Sequence, residues 1–500
     1  MNSTRMKIDL TYKRNLRAFL LIISLILLGY GFGYAQDSSL TYSLKEVVKI
    51  SLEKSPKMLE ATTRFENQYW QYQLYKSDYR PQLQLSGDLP EFNRSITSVT
   101  QNDGSEVFKP RSYANSSLDL GITQKIGPTG GEIGISSQLG RIDQFADSTT
   151  VNYLASPAVI TLRQPLFSYN PYRWDRKIEP MKFEAAKRQL VENKEAVMVE
   201  ATDLFFKLLL AQERKNTAIL NVANSDTLLQ IANGRFNLGK LAENVLLQME
   251  LSLMNARRDL TLAELDIDLS NLQLAMFMGM TGTDLLTLEI PNEIPEFTVN
   301  EQDALIQAKE NTSVSLNFEV RKLEGLQMVG RAKGESRLNA NISASYGLTK
   351  STMVVDQLYT NPSDRQLFLL RFDVPIIDWG RSKARIRTAM ANKELIDVYV
   401  LQEQQGFTQE ILLLVRRFNI YRQNMEIAEK ADEIAKKSFD ITMKRYLIGK
   451  VVQLDLKNAQ EEKDIARLKY IQALYDFWAS YYQLRQKTLY DFETSKLIGE

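Results

Sequence analysis

The longest uninterrupted pattern in the chain is helical. From Pro171 to Leu238 the chain carries one internal proline, Pro180, and one glycine, Gly234, close to the end. At 1.5 Å per residue such a rod reaches about 100 Å, far more than a compact domain requires. A later stretch has coiled-coil spacing: Ile427, Ile434 and Ile441 lie seven apart, with Ala428, Ala431 and Ala435 beside them. Beyond Gly449 the spacing returns as Ala459, Ala466 and Ala473, matched earlier by Met249, Ala256 and Ala263. Small residues at such a seam let helices approach closely. A generic coiled-coil spacer shows this half of the pattern equally well.

Between the helical stretches the period changes to two. Leu83, Leu85 and Leu89 alternate with Gln82, Gln84, Ser86 and Asp88, and Ala340, Ile342, Ala344 and Tyr346 alternate with Asn339, Asn341, Ser343 and Ser345. Returning strands follow: Ile160 and Leu162 flank Thr161 and Arg163, and Phe368, Leu370, Phe372 and Val374 flank Arg371 and Asp373. One apolar and one small or polar face suits a barrel with lipid outside and water inside. A soluble sandwich alternates in the same way. Length favours the barrel, since strands of about 8 to 10 residues approach the roughly 9 to 11 that cross a tilted bilayer span.

These elements occur twice. RFNLGK at Arg235–Lys240 recurs as RYLIGK at Arg445–Lys450, an offset of 210, and the same offset carries Gln164-Pro165-Leu166-Phe167 onto Val374-Pro375-Ile376-Ile377. Residues 36–290 and 300–490 therefore read as two copies of one unit: a leading helix, a strand pair and a long helical hairpin. The first leading helix starts at a capping-box pattern, Ser43 with Glu46, and runs to Tyr79 before Pro81. Its counterpart spans Asn300 to about Arg337. Strands are expected at 82–89 and 157–167 in the first copy and at 338–347 and 366–375 in the second. Gly239 and Gly449 mark the far tips of the hairpins, where a left-handed residue turns the chain.

The first copy carries a longer stretch between its strands, Pro81 to Pro165, than the equivalent Leu338 to Pro375 of the second. The added part includes the alternation of Leu118, Leu120 and Ile122, the turn Gly127–Gly131, then Ile133 and Ile135. This predicts an inserted hairpin over 115–140, either an extracellular loop or added barrel strands. Aromatic residues gather where strands meet helices: Tyr69, Trp70, Tyr72, Tyr75 and Tyr79 on one side, and Tyr169, Tyr172 and Trp174 on the other. An interfacial belt accounts for both clusters, as does ordinary packing between helices.

Residues 1–35 read as a secretory signal peptide. Lys13, Arg14 and Arg17 precede an apolar run from Ala18 to Leu28, interrupted by Ser24, and Gly33 and Ala35 form the cleavage site. Its removal takes away five basic residues and one acidic residue, leaving 57 Lys and Arg against 60 Asp and Glu. No basic excess remains to hold nucleic acid, and the signs are interspersed as on solvated helix faces. After residue 35 no apolar run is long enough to cross a bilayer as a helix, so any membrane span must be a closed barrel.

The 500 residues contain neither Cys nor His. That removes disulfides, Cys or His metal sites, Cys nucleophiles and Ser-His-Asp chemistry. No paired-acid constellation stands out from the helix-surface charge. The glycine cluster Gly130, Gly131 and Gly134 lacks the Lys-Ser/Thr of a phosphate-binding loop. The expectation is a protein that is not an enzyme and holds no cofactor or metal.

The order of leader, Tyr42–Lys49 helix (YSLKEVVK), strand pair ending in Pro165-Leu166-Phe167, and an Arg-Phe-x-x-Gly hairpin tip, repeated across the mature chain, resembles the TolC-like outer membrane efflux family. The resemblance implies a mixed fold of long α-helices and a transmembrane β-barrel. It implies a homotrimer, four strands per chain in a shared 12-stranded barrel, and an α-helical tunnel through the periplasm. It further implies an outer-membrane exit duct of a tripartite efflux pump or type I secretion system. The partners would be outer-membrane lipid, a periplasmic adaptor protein and an inner-membrane pump. By position, Arg235, Gly239, Lys240, Arg445, Gly449 and Lys450 would belong to the tip that docks the adaptor, and Asp455 to an acidic periplasmic gate. The first copy has Val245 at that place, and Asn458 stands where some relatives carry a second acid. A periplasmic coiled-coil structural or adaptor protein is the alternative; it would have no use for apolar-out strands flanked by aromatics.

Overall fold

The computed structural model describes residues 41–145, 148–280 and 284–499. The signal peptide read in residues 1–35 lies outside them. A short strand β1 (Thr41–Tyr42) precedes helices α1 (Leu44–Lys54) and α2 (Pro56–Asp78). Four strands follow: β2 (Gln82–Thr100), β3 (Glu106–Ile126), β4 (Gly131–Phe145) and β5 (Thr149–Leu166). Then come the long helices α3 (Pro171–Asn237) and α4 (Glu243–Phe277), and β6 (Thr287–Leu288), which pairs with β1 in parallel. The second round comprises α5 (Glu301–Asn311), α6 (Ser313–Glu335), β7 (Asn339–Thr352), β8 (Ser363–Asp373), α7 (Arg381–Leu447) and α8 (Gln453–Thr488). A small hairpin, β9 (Tyr490–Asp491) with β10 (Lys496–Leu497), closes the chain.

The duplication preserves helix length. Helices α1 and α5 each have 11 residues, α2 and α6 each 23, and α3 and α7 each 67. Helices α3 and α7 keep the offset of the tips at both of their ends, whereas the leading helices are set further apart along the chain. The difference is the segment added between the first copy's strands.

Each leading helix is two helices. Ser55, with φ −66° and ψ 141°, interrupts the first rod, and its hydroxyl accepts the Met58 amide. The cause is Pro56, which excludes the helical conformation at Ser55 and is tolerated at the first position of a new helix. Thr312 makes the equivalent break in the second copy. The capping box forms as the sequence indicates: Glu46 accepts the Ser43 amide at 2.8 Å and Ser43 accepts the Glu46 amide at 3.3 Å.

All strands from β2 to β8 except the short β6 form one antiparallel sheet in the order β2-β3-β4-β5-β7-β8. This corrects the expectation of four strands per chain to six. The inserted hairpin is longer than 115–140, running from Glu106 to Phe145, and it lies between β2 and β5, so the first copy's original pair are not neighbours. Register separates the faces. Leu83, Ile122, Ile135, Ile160 and Tyr346 are successive cross-strand partners, each 45–67% exposed. The adjoining row on the other face is Gln82, Thr123, Gly134, Thr161 and Ser345.

The main core sits in the middle of the helical region. Phe205, Phe206, Leu208 and Leu209 of α3 pack with Leu274 of α4, Ile411, Val415 and Phe418 of α7, and Ile471, Leu474 and Phe477 of α8. Val47 of α1 and Ala304 of α5 seal it from the side. Thus the two copies share one core, and neither buries its apolar stripe alone. Near it Arg485 forms a two-pronged pair with Glu195 at 3.0 and 3.2 Å and reaches Asp491 at 3.2 Å. Glu195 is 1% exposed. Its carboxylate needs that guanidinium, because an unpaired buried charge is far more costly than a matched pair.

The strand–helix aromatics meet as helix packing. Tyr72 stacks on Phe183 at 4.4 Å, and Tyr79 meets Tyr172 edge-on at 5.7 Å. Trp174 and Tyr169 rest against Gly330 and Gly334 of α6. Trp70 projects outward and is 61% exposed.

Replacing Arg485→Ala strands Glu195 in the interior and should cost roughly 3–5 kcal/mol, whereas Arg485→Met with Glu195→Leu should recover most of it. Thermal unfolding in detergent checks this; equal losses in both variants would show that the pair itself stabilises the fold.

Candidate functional site

The far tips of the hairpins are built from the backbone upward. Helix α3 is capped by Leu238 and α7 by Ile448, and the next residue in each, Gly239 or Gly449, takes a left-handed φ of 68° or 74°. The Gly239 amide donates to the Phe236 carbonyl and the Lys240 amide to the Arg235 carbonyl, both at 2.8 Å. Gly449 to Tyr446 and Lys450 to Arg445 repeat the pattern at 2.9 Å. These paired bonds satisfy the last helical carbonyls, and the glycines avoid the Cβ penalty of the turn. Arg235, Gly239, Lys240, Arg445, Gly449 and Lys450 all lie at these two turns.

The two tips also touch each other. The Arg235 guanidinium lies 5.4 Å over the Tyr446 ring, and Leu228, Ala232, Met249, Phe439, Tyr446, Leu456 and Ala459 make a second, smaller core. The copies have diverged here. Phe236, the counterpart of Tyr446, is exposed, as is Arg445. Outward from this core Leu238, Ile448, Val452 and Leu454 are 63–71% exposed, with Lys240 and Lys450 among them.

Asp455 is the third residue of α8 and is exposed. One carboxylate oxygen accepts the Val452 amide at 3.3 Å, and a negative charge in the first turn also offsets the helix dipole. Its counterpart Val245 does neither; α4 carries Glu243 in its first turn instead. Asp455 thus has a structural function in the single chain and also stands next to the tip.

Further along the hairpins a polar ladder joins the copies. Arg467 of α8 binds Glu213 of α3 at 2.8 Å and Asp432 of α7 at 3.2 Å. Asn221 of α3 donates to Asp464 at 2.7 Å and accepts from Gln460 at 2.7 Å. Tyr475 donates to Asp203 at 2.8 Å. Burial works against the Arg467 charge, but Glu213 and Asp432 outweigh it and raise the pKa above its ordinary value. Burial, and then Asp203, push Tyr475 up to about 12, so it remains a donor at neutral pH. Sequence reading missed these contacts, whose partners in the two copies lie far apart along the chain. The available signal was Arg467 standing directly beside the alanine seam.

Two helical stripes have no cover among the described residues. Leu413, Ile420, Ile427, Ile434, Ile441 and Ile448 run along α7 in strict sevens, 53–66% exposed. Leu262, Leu265, Leu269, Leu272 and Met276 form a second stripe on α4. The intrachain seams are elsewhere: Met249, Ala256, Ala263 and Ala459 are buried. Together with the apolar sheet face, this surface far exceeds what a solitary soluble chain leaves in water.

Comparison with known proteins agrees with this architecture. Residues 334–488, most of the second copy, match the family model described as outer membrane efflux protein. No curated protein matches the chain. The Campylobacter jejuni CmeC outer membrane channel is similar in structure, with a TM-score of 0.64 at 16% identity, covering 89% of this chain and 85% of that one. The Vibrio cholerae outer membrane protein VceC gives 0.63 at 14% identity, covering 89% and 95%. The open-state Neisseria gonorrhoeae MtrE outer membrane channel gives 0.53 at 15%, covering 89% and 88%. At these identities the likeness establishes the fold.

Tyr446→Ala removes the shared ring of the tip core. Hydrogen exchange should show opening lowered by roughly 2 kcal/mol or more around residues 228–249 and 439–459, with residues 471–484 unchanged. Uniform change along the helices would contradict a separate tip core.

Proposed function

We propose that this chain, a member of the TolC-like outer membrane efflux protein family, is the outer-membrane exit duct of an export machine and works as a passive homotrimer. One observation carries the reading: a six-stranded sheet with an exposed apolar face and two unpaired edges, β2 and β8, is joined to helices about 100 Å long. A sheet in lipid must pair every edge, so it closes either on itself or on further copies. Six strands are too few to enclose a water-filled lumen, which favours further copies. The uncovered stripes of α7 and α4 support the same association, because neighbouring copies in a ring bring such helix faces together.

The helices would extend from the barrel into the periplasm as a tunnel. Their tips, with Arg235, Gly239, Lys240, Arg445, Gly449 and Lys450 around an apolar centre, suit docking to a periplasmic adaptor of an inner-membrane pump, in a tripartite efflux or type I secretion assembly. Energy would come from that pump. In the glycine cluster, Gly130 turns the β3–β4 connection at a left-handed φ of 77°, and Gly131 and Gly134 are residues of strand β4. Three copies of Asp455 around the axis would make an acidic ring near the tips, and such a ring favours cations in a narrow passage.

Full-length protein in planar bilayers should give stepwise conductance, and its absence would sink the duct. Asp455→Ala should keep the steps and reduce the preference for cations; unchanged selectivity would remove the acidic ring alone. Ile434→Asp places a charge in the α7 stripe and should shift native mass spectra from trimer toward monomer. A trimer that persists would exclude that stripe from the interface.

A further inference from the structure

We propose that the additional hairpin Glu106–Phe145 is barrel wall facing acyl chains, so that three chains close a barrel of eighteen strands rather than twelve. The inference rests on the outer-membrane trimer proposed above and concerns the shape of its exit.

Pairing on both sides excludes a loop laid over the sheet. Strand β3 pairs with β2 from Gln82↔Thr123 to Thr100↔Glu106, and β4 pairs with β5 from Glu132↔Arg163 to Phe145↔Thr149. If the hairpin left the sheet, both of these ladders would be lost. Strands β3 and β4 pair with each other without interruption from Tyr113↔Gln144 to Ile126↔Gly131. That run exceeds the roughly 9 to 11 residues a tilted strand needs to cross the hydrocarbon layer.

The side chains of the hairpin continue the faces of its neighbours. Ile122 and Ile135 sit in the exposed apolar row between Leu83 and Ile160, while Thr123 and Gly134 sit in the small polar row between Gln82 and Thr161. An extracellular loop would have no reason to keep both rows in phase with the wall.

The turn at its base is fixed where the sheet meets the helices. Asn170 donates to the carbonyls of Gly127 at 2.9 Å and Pro128 at 3.2 Å, and Gln164 donates to that of Thr129 at 3.1 Å. From the other side Gln124 donates to the Tyr79 carbonyl at 2.9 Å. A Cβ on Gly130 would stand 3.0 Å from Asn170, so the turn is seated against the start of α3.

Adding two strands preserves closure. With six strands per chain β8 runs antiparallel to β2 of the next copy, as it would with four; one extra strand would not permit this. Diameter grows roughly linearly with strand number, so the exit would be about half again as wide as a twelve-stranded one. Each chain still supplies four long helices, α3, α4, α7 and α8. The helical tunnel and its tips would therefore limit the size of exported solutes, and the barrel would not.

The absence of Cys allows single-site spin labelling without background. Leu83→Cys, Ile122→Cys, Ile135→Cys, Thr123→Cys and Ser136→Cys are labelled in full-length trimers in liposomes and relaxed by oxygen, which partitions into lipid, or by a water-soluble nickel chelate. Oxygen should dominate at residues 83, 122 and 135, and the chelate at 123 and 136. If the chelate dominates at 122 and 135 while oxygen dominates at 83, the hairpin lies outside the wall and the inference fails, leaving the duct intact. If the chelate dominates at 83 as well, the sheet is not in lipid and both readings fail. An end-on electron cryo-microscopy reconstruction of the unmodified trimer gives an independent count: eighteen strands support the inference, and twelve overturn it.

Discussion

A backbone N–H or C=O left unpaired in hydrocarbon costs several kcal/mol, so a sheet set in a bilayer, as proposed for this one, cannot end in open edges. The rest of this structure follows from that constraint. Strands β2 and β8 are open edges, and the row from Leu83 to Tyr346 is an uncovered apolar surface. Closure on further copies pairs both edges and leaves room for a water-filled lumen, which six strands closed on themselves would not. The same incompleteness continues along the helices, where the α7 isoleucines face away from their own hairpin partner.

Duplication supplies the framework, and divergence supplies the specialised features. The two copies match residue for residue in the lengths of their leading helices and of α3 and α7, and share the same backbone closure at their tips. They depart at the sheet, where the first copy has gained a hairpin, and at the tips, where Tyr446 is buried under Arg235 while its counterpart Phe236 is not. The polar ladder of Glu213, Asp432 and Arg467 spans the copies, holding three helices at defined spacing in a region with few large apolar side chains.

Much of this was legible in the sequence because the signals were periodic or repeated. The single offset between the copies located both tips, and a span broken by no more than Pro180 and Gly234 located α3 almost to the residue. Alternation around Leu83 and Ile160 identified strands, though not their full lengths, since β2 continues through a bulge between Asp88 and Glu91 that disrupts the period. The break at Ser55 has a local signal in Pro56, which bars the helical conformation at the residue before it. Thr312 carries no comparable local signal. Long-range partners such as Arg485 with Glu195 were invisible because only the folded arrangement brings them together. At the heptads, the sequence separated coiled-coil spacing from other patterns but could not say which seam faces the same chain: Met249, Ala256, Ala263 and Ala459 do, and the isoleucines do not.

The central claim is that the molecule is complete only as a membrane-embedded trimer. The most direct measurement is to fractionate membranes from cells expressing the full chain, extract the outer membrane in detergent and determine the protein mass by light scattering. The account predicts an outer-membrane species of three chains; a soluble periplasmic monomer would contradict it.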